Sequence, residues 1–354
     1  MEEKKDTLGM LDLVIRPGFC VKENQIIKVN QAAGSLFITP GTDVRPLLLT
    51  GSEEYAAFTG GCLYLTLNLS SHSCGASVTR VDDIDVFLLE QESDNGELRS
   101  MALAARELRE PLTNVMITAD SLFPLCAAES SPRTAEQVAR LNRGLFQILR
   151  IIGNMSDAER CAAVSHQETV DIPALFAEFF EKAETLVSHT GITLTYEGPD
   201  QPIYGLADRE QLERAVLNIL SNAIKFTPKG GTVTAKLTRS GRMLRLSVTD
   251  SGSGIAQSVR SSVFSRYLRQ PALEDSRYGI GLGMVLIRTA AAHHGGAVLI
   301  DQPEGVGTRI TMTMSIRQSK QATLRSNVLR VDYAGERDHG LIELSECLPT
   351  ELYE

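Results

Sequence analysis

The chain has 354 residues, of which 43% are hydrophobic and 22% charged, with a formal net charge of −9. That is the balance of a soluble globular protein long enough for two or three separately packed domains. The negative balance argues against a broad nucleic-acid or anionic-membrane surface, because phosphate binding needs a basic field. No run of 18 or more apolar residues predicts a membrane span, and "MEEKKDTLGM" offers no apolar core for a secretory signal. The cysteines (Cys20, Cys62, Cys74, Cys126, Cys161, Cys347) form no C-x-x-C pair and read as free thiols, so the expected location is cytoplasmic.

Residues 10–90 read as a small α+β unit. "GFCVKENQIIKVN" holds two short apolar runs about Glu23-Asn24, a hairpin signal, and "CLYLTLNLSS", "GASVTRV" and "DIDVFLLEQ" are further strand candidates. His72 and Cys74 read more simply as isolated loop residues than as metal or haem ligands. Polar "ESDNGE" (92–97) closes the unit.

From Leu98 the apolar positions are Leu98, Met101, Ala105, Leu108, Leu112, Val115, Ala119 and Leu122, and a second series runs Val138, Leu141, Leu145, Ile148, Ile152, Met155. Steps alternating three and four are the seam of a helical bundle. "CAAESSPRT", with Pro132, fits the loop of a helical hairpin. Two helices cannot bury two such seams alone, so the pattern predicts an antiparallel hairpin in a homodimeric four-helix bundle. The alternative is a monomeric hairpin packed on its neighbours. Inside the first helix, Pro111 of "ARELREPLT" interrupts the pattern, at a usual cost of roughly 3 kcal/mol in a helix interior.

Residues 168–316 switch to a mixed α/β pattern. A helix over 172–188 leads to a strand at "ITLTYEG" and a helix over 208–226. Strands at "GTVTAKLT" and "MLRLSVTD", a helix over 282–294, and strands "AVLIDQ" and "TRITMTMSI" follow. Beyond the polar "RQSKQAT" lie a strand candidate, "NVLRVDYA", and a short amphipathic stretch, "HGLIELSECLP".

Three stretches of the third unit point to one nucleotide pocket. "NILSNAIKFTP" puts Asn218, Asn222 and Lys225 on one helix face, where a carboxamide oxygen suits Mg²⁺ and the ammonium a phosphate, although such a face is often merely solvated. In "VTDSGSGI", Asp250 ends a strand before Gly252, Gly254 and Ile255, which suits a carboxylate facing a base amine but equally a plain turn. In "YGIGLGMVLIRTAAAHHGG", Gly279, Gly281, Leu282 and Gly283 run into a helix whose free N–H groups attract anions. No Gly-Lys-Ser/Thr follows, so this is not a Walker loop, and no strand directly precedes it as a dinucleotide fingerprint requires.

The order and spacing of the three together resemble the N, G1 and G2 boxes of the ATP-binding domain (HATPase_c, or GHKL type) shared by sensor histidine kinases, gyrase and the Hsp90 chaperones. "VFSRYLRQ", with Phe264, resembles the F box that starts an ATP lid over roughly 267–278, and "GVGTRITM", with Thr308, matches the closing strand. The resemblance implies Asn222 as Mg²⁺ ligand, Asp250 as partner of the adenine amine, Lys225 and Phe226 on phosphate and base, and Gly279–Gly283 about the triphosphate. Hydrolysing relatives carry a glutamate base where this chain has Asn218, so the pocket resembles the histidine-kinase version. His293 and His294 fit that family's helix-closing "HGG" and read as structural.

Within the same family the hairpin carries an H box, typically His-Glu-Leu-Arg-Thr-Pro-Leu, matched here by Arg106, Glu107, Leu108, Arg109, Glu110, Pro111 and Leu112. The departures are large. Arg106 stands at the phosphoacceptor position, and a guanidinium has no free lone pair with which to attack ATP. Glu110 stands where the family positions water for dephosphorylation, and its charge repels a phosphoryl group. The first unit resembles a PAS sensory domain through "FCVKENQIIKVNQAAGSLF".

The expected architecture is therefore multidomain α+β: a PAS-like α/β unit (1–92), a hairpin forming a dimeric four-helix bundle (93–165), a GHKL-type α/β sandwich (166–316) and an extension (317–354). The expected protein is a two-component histidine-kinase relative that binds ATP and Mg²⁺ but does not phosphorylate its own H box. Its expected partners are a second copy or another kinase, and a response regulator, with no nucleic acid or membrane. The alternatives are a kinase using another acceptor, such as Ser100 or Thr113, and an ATP-hydrolysing conformational machine.

Overall fold

A computed structural model describes residues 9, 11–69, 72–90, 93–128, 132–160, 167–255, 264, 282–303, 307–317 and 338–353. In the N-terminal unit, β1 (Gly18–Lys22) and β2 (Gln25–Val29) form the expected hairpin, with Glu23 and Asn24 both at positive φ. Two short helices follow, α1 (Gln31–Gly34) and α2 (Ser52–Ala56). Then come β3 (Cys62–Asn68), β4 (Ser73–Val81) and β5 (Ile84–Leu89). Asn30 caps α1, accepting from Ala33 N, while its Nδ2 donates to the carbonyls of Val14 and Arg16. One amide thus ties the start of α1 to the segment that leads into β1. Phe19 and Phe87 stack at the centre of this unit's own core, 4.7 Å apart.

The hairpin is α3 (Ser93–Ala128) and α4 (Pro132–Arg160), and α3 runs through Pro111 without interruption. Only half of the predicted seam turns inward. Ala105, Leu112, Ala119, Leu145 and Ile152 are buried, whereas Leu108, Val115, Leu122, Leu141 and Ile148 remain between 47% and 54% exposed.

The third unit begins with β6 (Glu168–Asp171), α5 (Ile172–Ser188), β7 (Thr193–Glu197), β8 (Tyr204–Ala207) and α6 (Arg209–Phe226). It continues through β9 (Thr232–Ser240), β10 (Met243–Asp250), α7 (Leu282–His293), β11 (Val298–Asp301) and β12 (Arg309–Ser315). α5 and α6 cover one sheet face with their apolar stripes, burying Phe176, Phe179 and Phe180 from α5 and Leu212, Val216 and Ile219 from α6. The C-terminal segment supplies α8 (His339–Glu343) and a 3₁₀ turn (Thr350–Tyr353). The strand expected at "NVLRVDYA" lies outside the described residues, and no described helix is long and apolar enough to cross a membrane.

The two β regions are joined. Among the described residues one ten-stranded sheet runs β2-β1-β5-β4-β3-β11-β12-β10-β9-β7, all antiparallel except the β7–β9 pair. The join is β3–β11, with Tyr64 opposite Val298 and Cys62 opposite Ile300. Gly61, at φ +91°, permits it, because a Cβ there would overlap the Ile300 carbonyl. A pair of edges that would otherwise invite other chains is thereby closed. β6 and β8 form a separate two-stranded sheet.

Candidate functional site

The site is assembled from the ends of β10 and β12 and from one side of α6 and α7. Asp208 caps α6, its Oδ1 accepting from Gln211 N, and its own N–H donates to His294 Nε2 at 3.0 Å. His294 Nδ1 lies 2.7 Å from the Ala290 carbonyl, which makes that nitrogen the donor and the ring neutral, and burial holds the imidazole below its ordinary pKa. His293 contacts Gln211. Both histidines thus tie the end of α7 to the start of α6.

Asp250 is buried at the end of β10. Its Oδ1 accepts from Gly252 N (2.8 Å) and Thr308 N (3.2 Å). One carboxylate oxygen thus holds the loop, and among the described residues no hydrogen bond reaches Oδ2. Burial pushes the Asp250 carboxyl above its ordinary value, although both backbone bonds oppose the shift. The loop closes around this group because the positions of closest approach are glycines. A Cβ at Gly252 would strike the Phe226 carbonyl, and one at Gly307 (φ +117°) the Asp250 carbonyl. Gly254 adopts φ +73° beside Gln302, and Ile255 next to it packs against the main core.

On α6, Asn218 is buried, whereas Asn222, Lys225 and Phe226 are half-buried. Gly283, in the first turn of α7, faces Asn218: a Cβ would sit 2.7 Å from its Oδ1. Leu282 beside it is buried and packs with Val285 against Met101 of α3, which seats α7 on the hairpin. The structure therefore gathers Phe226, Asp250, Gly252, Gly254 and Thr308 into one cluster, and Asn218, Leu282 and Gly283 into an adjoining one. Gly279, Gly281 and the lid expected over 267–278 lie outside the described residues.

Arg106, Glu107 and Glu110 are exposed on α3. Thr113 donates to the Arg109 carbonyl within the same helix. Cys74, half of the pair with His72, is buried, with its thiol toward the carbonyls of Gly75 and Glu90.

Two groups of residues escaped sequence reasoning. The first lies along the same face of α6. Glu343, fully buried, lies 3.2 Å from Arg214, 3.4 Å from Arg150 of α4, and accepts from Asn218 Nδ2 at 3.4 Å. Glu346 pairs with Lys225 (2.8 Å) and Arg150 (3.0 Å). Burial works to raise the Glu346 pKa, but Arg150 and Lys225 outweigh it and hold the carboxyl low. The only hint in the sequence was two carboxylates three apart in "HGLIELSECLP", which any solvated helix could carry.

The second group links the N-terminal unit to Phe264. Arg288 of α7 pairs with Glu90 at 2.5 Å, donates to the Phe264 carbonyl at 3.1 Å and lies 4.9 Å over the Tyr64 ring. Tyr64 in turn donates to Glu90 and packs its ring 5.6 Å from that of Phe264.

A family model described as "Histidine kinase-, DNA gyrase B-, and HSP90-like ATPase" matches residues 207–318, the span that holds both clusters. The chain is 29% identical over 276 residues to an uncharacterised sensor-like histidine kinase of Rhizobium meliloti, covering 73% of this chain and 52% of that protein. It is 26% identical over 246 residues to the adaptive-response sensory kinase SasA of Crocosphaera subtropica, covering 66% of this chain and 64% of that one. This chain is similar to the sensor histidine kinases. It carries an ATPase domain of that description and spans only about half to two thirds of the length of these relatives. Among solved structures, full-length ShkA in complex with AMPPNP aligns with a TM-score of 0.51 at 23% identity, covering 64% of this chain and 47% of that one. That likeness concerns the fold, a mixed α/β chain with a GHKL-like sheet.

Proposed function

We propose that this protein is a cytoplasmic two-component signalling protein that binds ATP–Mg²⁺ and lacks a phosphoacceptor of its own, acting by conformation or as the kinase half of a mixed pair. The observation that carries the reading is the contrast between its two centres. The site holds a buried carboxylate in Asp250 suited to a base amine, glycines where the loop comes closest to it, and Asn222 and Lys225 on the adjoining helix. The hairpin presents an exposed Arg106, a permanent cation, where the family carries histidine. The AMPPNP complex of ShkA supports nucleotide as the ligand class.

The residues fit the group they would receive. Asp250 Oδ2 takes the exocyclic amine, Phe226 the base and Lys225 the phosphates. The Asn222 carboxamide oxygen is the donor suited to Mg²⁺, which when bound neutralises charge between phosphate oxygens. Asn218 cannot take a proton, which disfavours hydrolysis and hydroxyl phosphorylation alike.

The half-exposed stripe on α3 and α4 supports a four-helix dimer, with a second copy or with another kinase. The strand–turn–strand–helix opening followed by three strands supports a PAS-like sensor in 1–92. A response regulator is the partner that two-component membership implies. It would read the state of the bundle.

A Mg²⁺–ATP titration beside an incubation with γ-labelled ATP tests the proposal. Binding that Asn222→Ala abolishes, with no acid-labile label on the purified protein, is the expected pair of results. Label on the wild-type chain alone overturns it.

A further inference from the structure

The C-terminal segment is not an appendage. Ile342, Leu344, Leu348 and Tyr353 are buried in the main core, and Tyr353 sets its ring edge-on to Phe146 of α4 at 5.2 Å. Arg143 donates to the carbonyls of Ser345 and Glu346, and Asn142 to that of Tyr353. On the other side the segment meets α6 through Arg214, Asn218, Ser221 and Lys225. Those positions are spaced i, i+4, i+7, i+11 and form one helical stripe. Two of the four are residues expected to serve a nucleotide.

We propose that residues 338–353 form a tethered anionic plug, in which Glu343 and Glu346 hold the cationic subsite of Arg150, Arg214 and Lys225 that otherwise receives the terminal phosphates of the nucleotide. The inference rests on the nucleotide reading above and adds the regulation of that same site. The charges set the logic. Among the described residues three cations converge on two carboxylates, and cations at low exposure need an anion from some source. In the docked state the tail supplies it. In the loaded state phosphate oxygens do, with Arg150 reaching across from the hairpin. Docking also clamps α4 to α6, so that the plug holds the ATP domain against the hairpin while it blocks the subsite.

A nucleotide that binds only the plug-free form has its apparent affinity reduced by the fraction of molecules in that form. A plug docked nine-tenths of the time therefore weakens binding about ten-fold. The test is a Mg²⁺–ATP titration of three full-length proteins: wild type, Glu343→Gln/Glu346→Gln, and Arg143→Ala. The last loosens the tail from α4 without touching the nucleotide face. It covers the case in which the double variant, left with unanswered arginines, folds poorly. Both variants are expected to bind more tightly, by up to about ten-fold for a plug docked nine-tenths of the time, and Asn222→Ala added to either abolishes the binding. Hydrogen exchange over 338–353 is expected to accelerate when wild type is saturated with Mg²⁺–ATP, which a merely structural brace would not do. Unchanged or weaker affinity in folded variants, with Asn222-dependent binding intact, overturns the plug and leaves the nucleotide site standing. Absence of binding in every folded protein overturns the nucleotide reading and the plug with it.

Discussion

Replacing Val115 and Ile148 by Asp tests the bundle most directly. These side chains, with Leu108, Leu122 and Leu141, stand about half exposed on the outer half of the hairpin seam. Fully burying such a side chain is worth about 1.5–3 kcal/mol, so covering the exposed half contributes about 1 kcal/mol each. Five positions on each of two protomers give about 10 kcal/mol before association costs, enough to hold a dimer. The double substitution removes four of the ten contributions and opposes them with four carboxylates, a loss of at least about 4 kcal/mol. That weakens dimerisation roughly a thousand-fold. Within one chain both sites face solvent, so far-UV circular dichroism and the melting temperature of the isolated chain should hardly move. Sedimentation equilibrium of wild type and variant over a hundred-fold concentration range reads the effect. A wild-type protein that stays monomeric throughout, or a variant with an unchanged dimer constant, refutes the reasoning.

Asp250→Asn keeps Oδ1 for Gly252 and Thr308 but turns the other acceptor into a donor; calorimetry should show nucleotide affinity falling about ten- to a hundred-fold in a protein of near-normal stability. Arg106→His supplies the missing lone pair, so γ-labelled ATP should leave acid-labile label on this variant and none on wild type; an unlabelled variant that still binds ATP would count against the placement of the H box. Burial lowers the pKa of His294 from 6.5, so below about pH 6.5 the unfolded chain takes up a proton that the folded chain resists, and stability falls as the pH drops. Urea midpoints between pH 7.5 and 5.5 should show this slope, and His294→Asn should flatten it. Glu90→Gln removes the charge that answers buried Arg288, at a cost of about 2 kcal/mol once its partial exposure is allowed for; a double-mutant cycle with Tyr64→Phe should show coupling, and strict additivity would dissolve the proposed link between the N-terminal unit and Phe264.

Much of this protein was legible in one dimension because the signals are local. The hairpin between Lys22 and Gln25 follows from two short apolar runs set about Glu23-Asn24, α5 and α6 follow from a 3.6-residue apolar period, and α6 carries Asn218, Asn222 and Lys225 on one side by helix geometry alone. Arg106 needed no coordinates, since its chemistry is that of the side chain. What the tertiary structure decided are contacts between segments far apart in the chain. Any strand edge offers the same unpaired N–H and C=O groups, so nothing in "CLYLTLNLSS" names β11 as its partner; the choice rests on Gly61 and on the shape of two finished sheets. Glu343 meets Arg150 across 193 residues and Asn218 across 125. A carboxylate in an amphipathic stretch looks the same whether water or two arginines will surround it, because burial belongs to the packed chain and not to the residue.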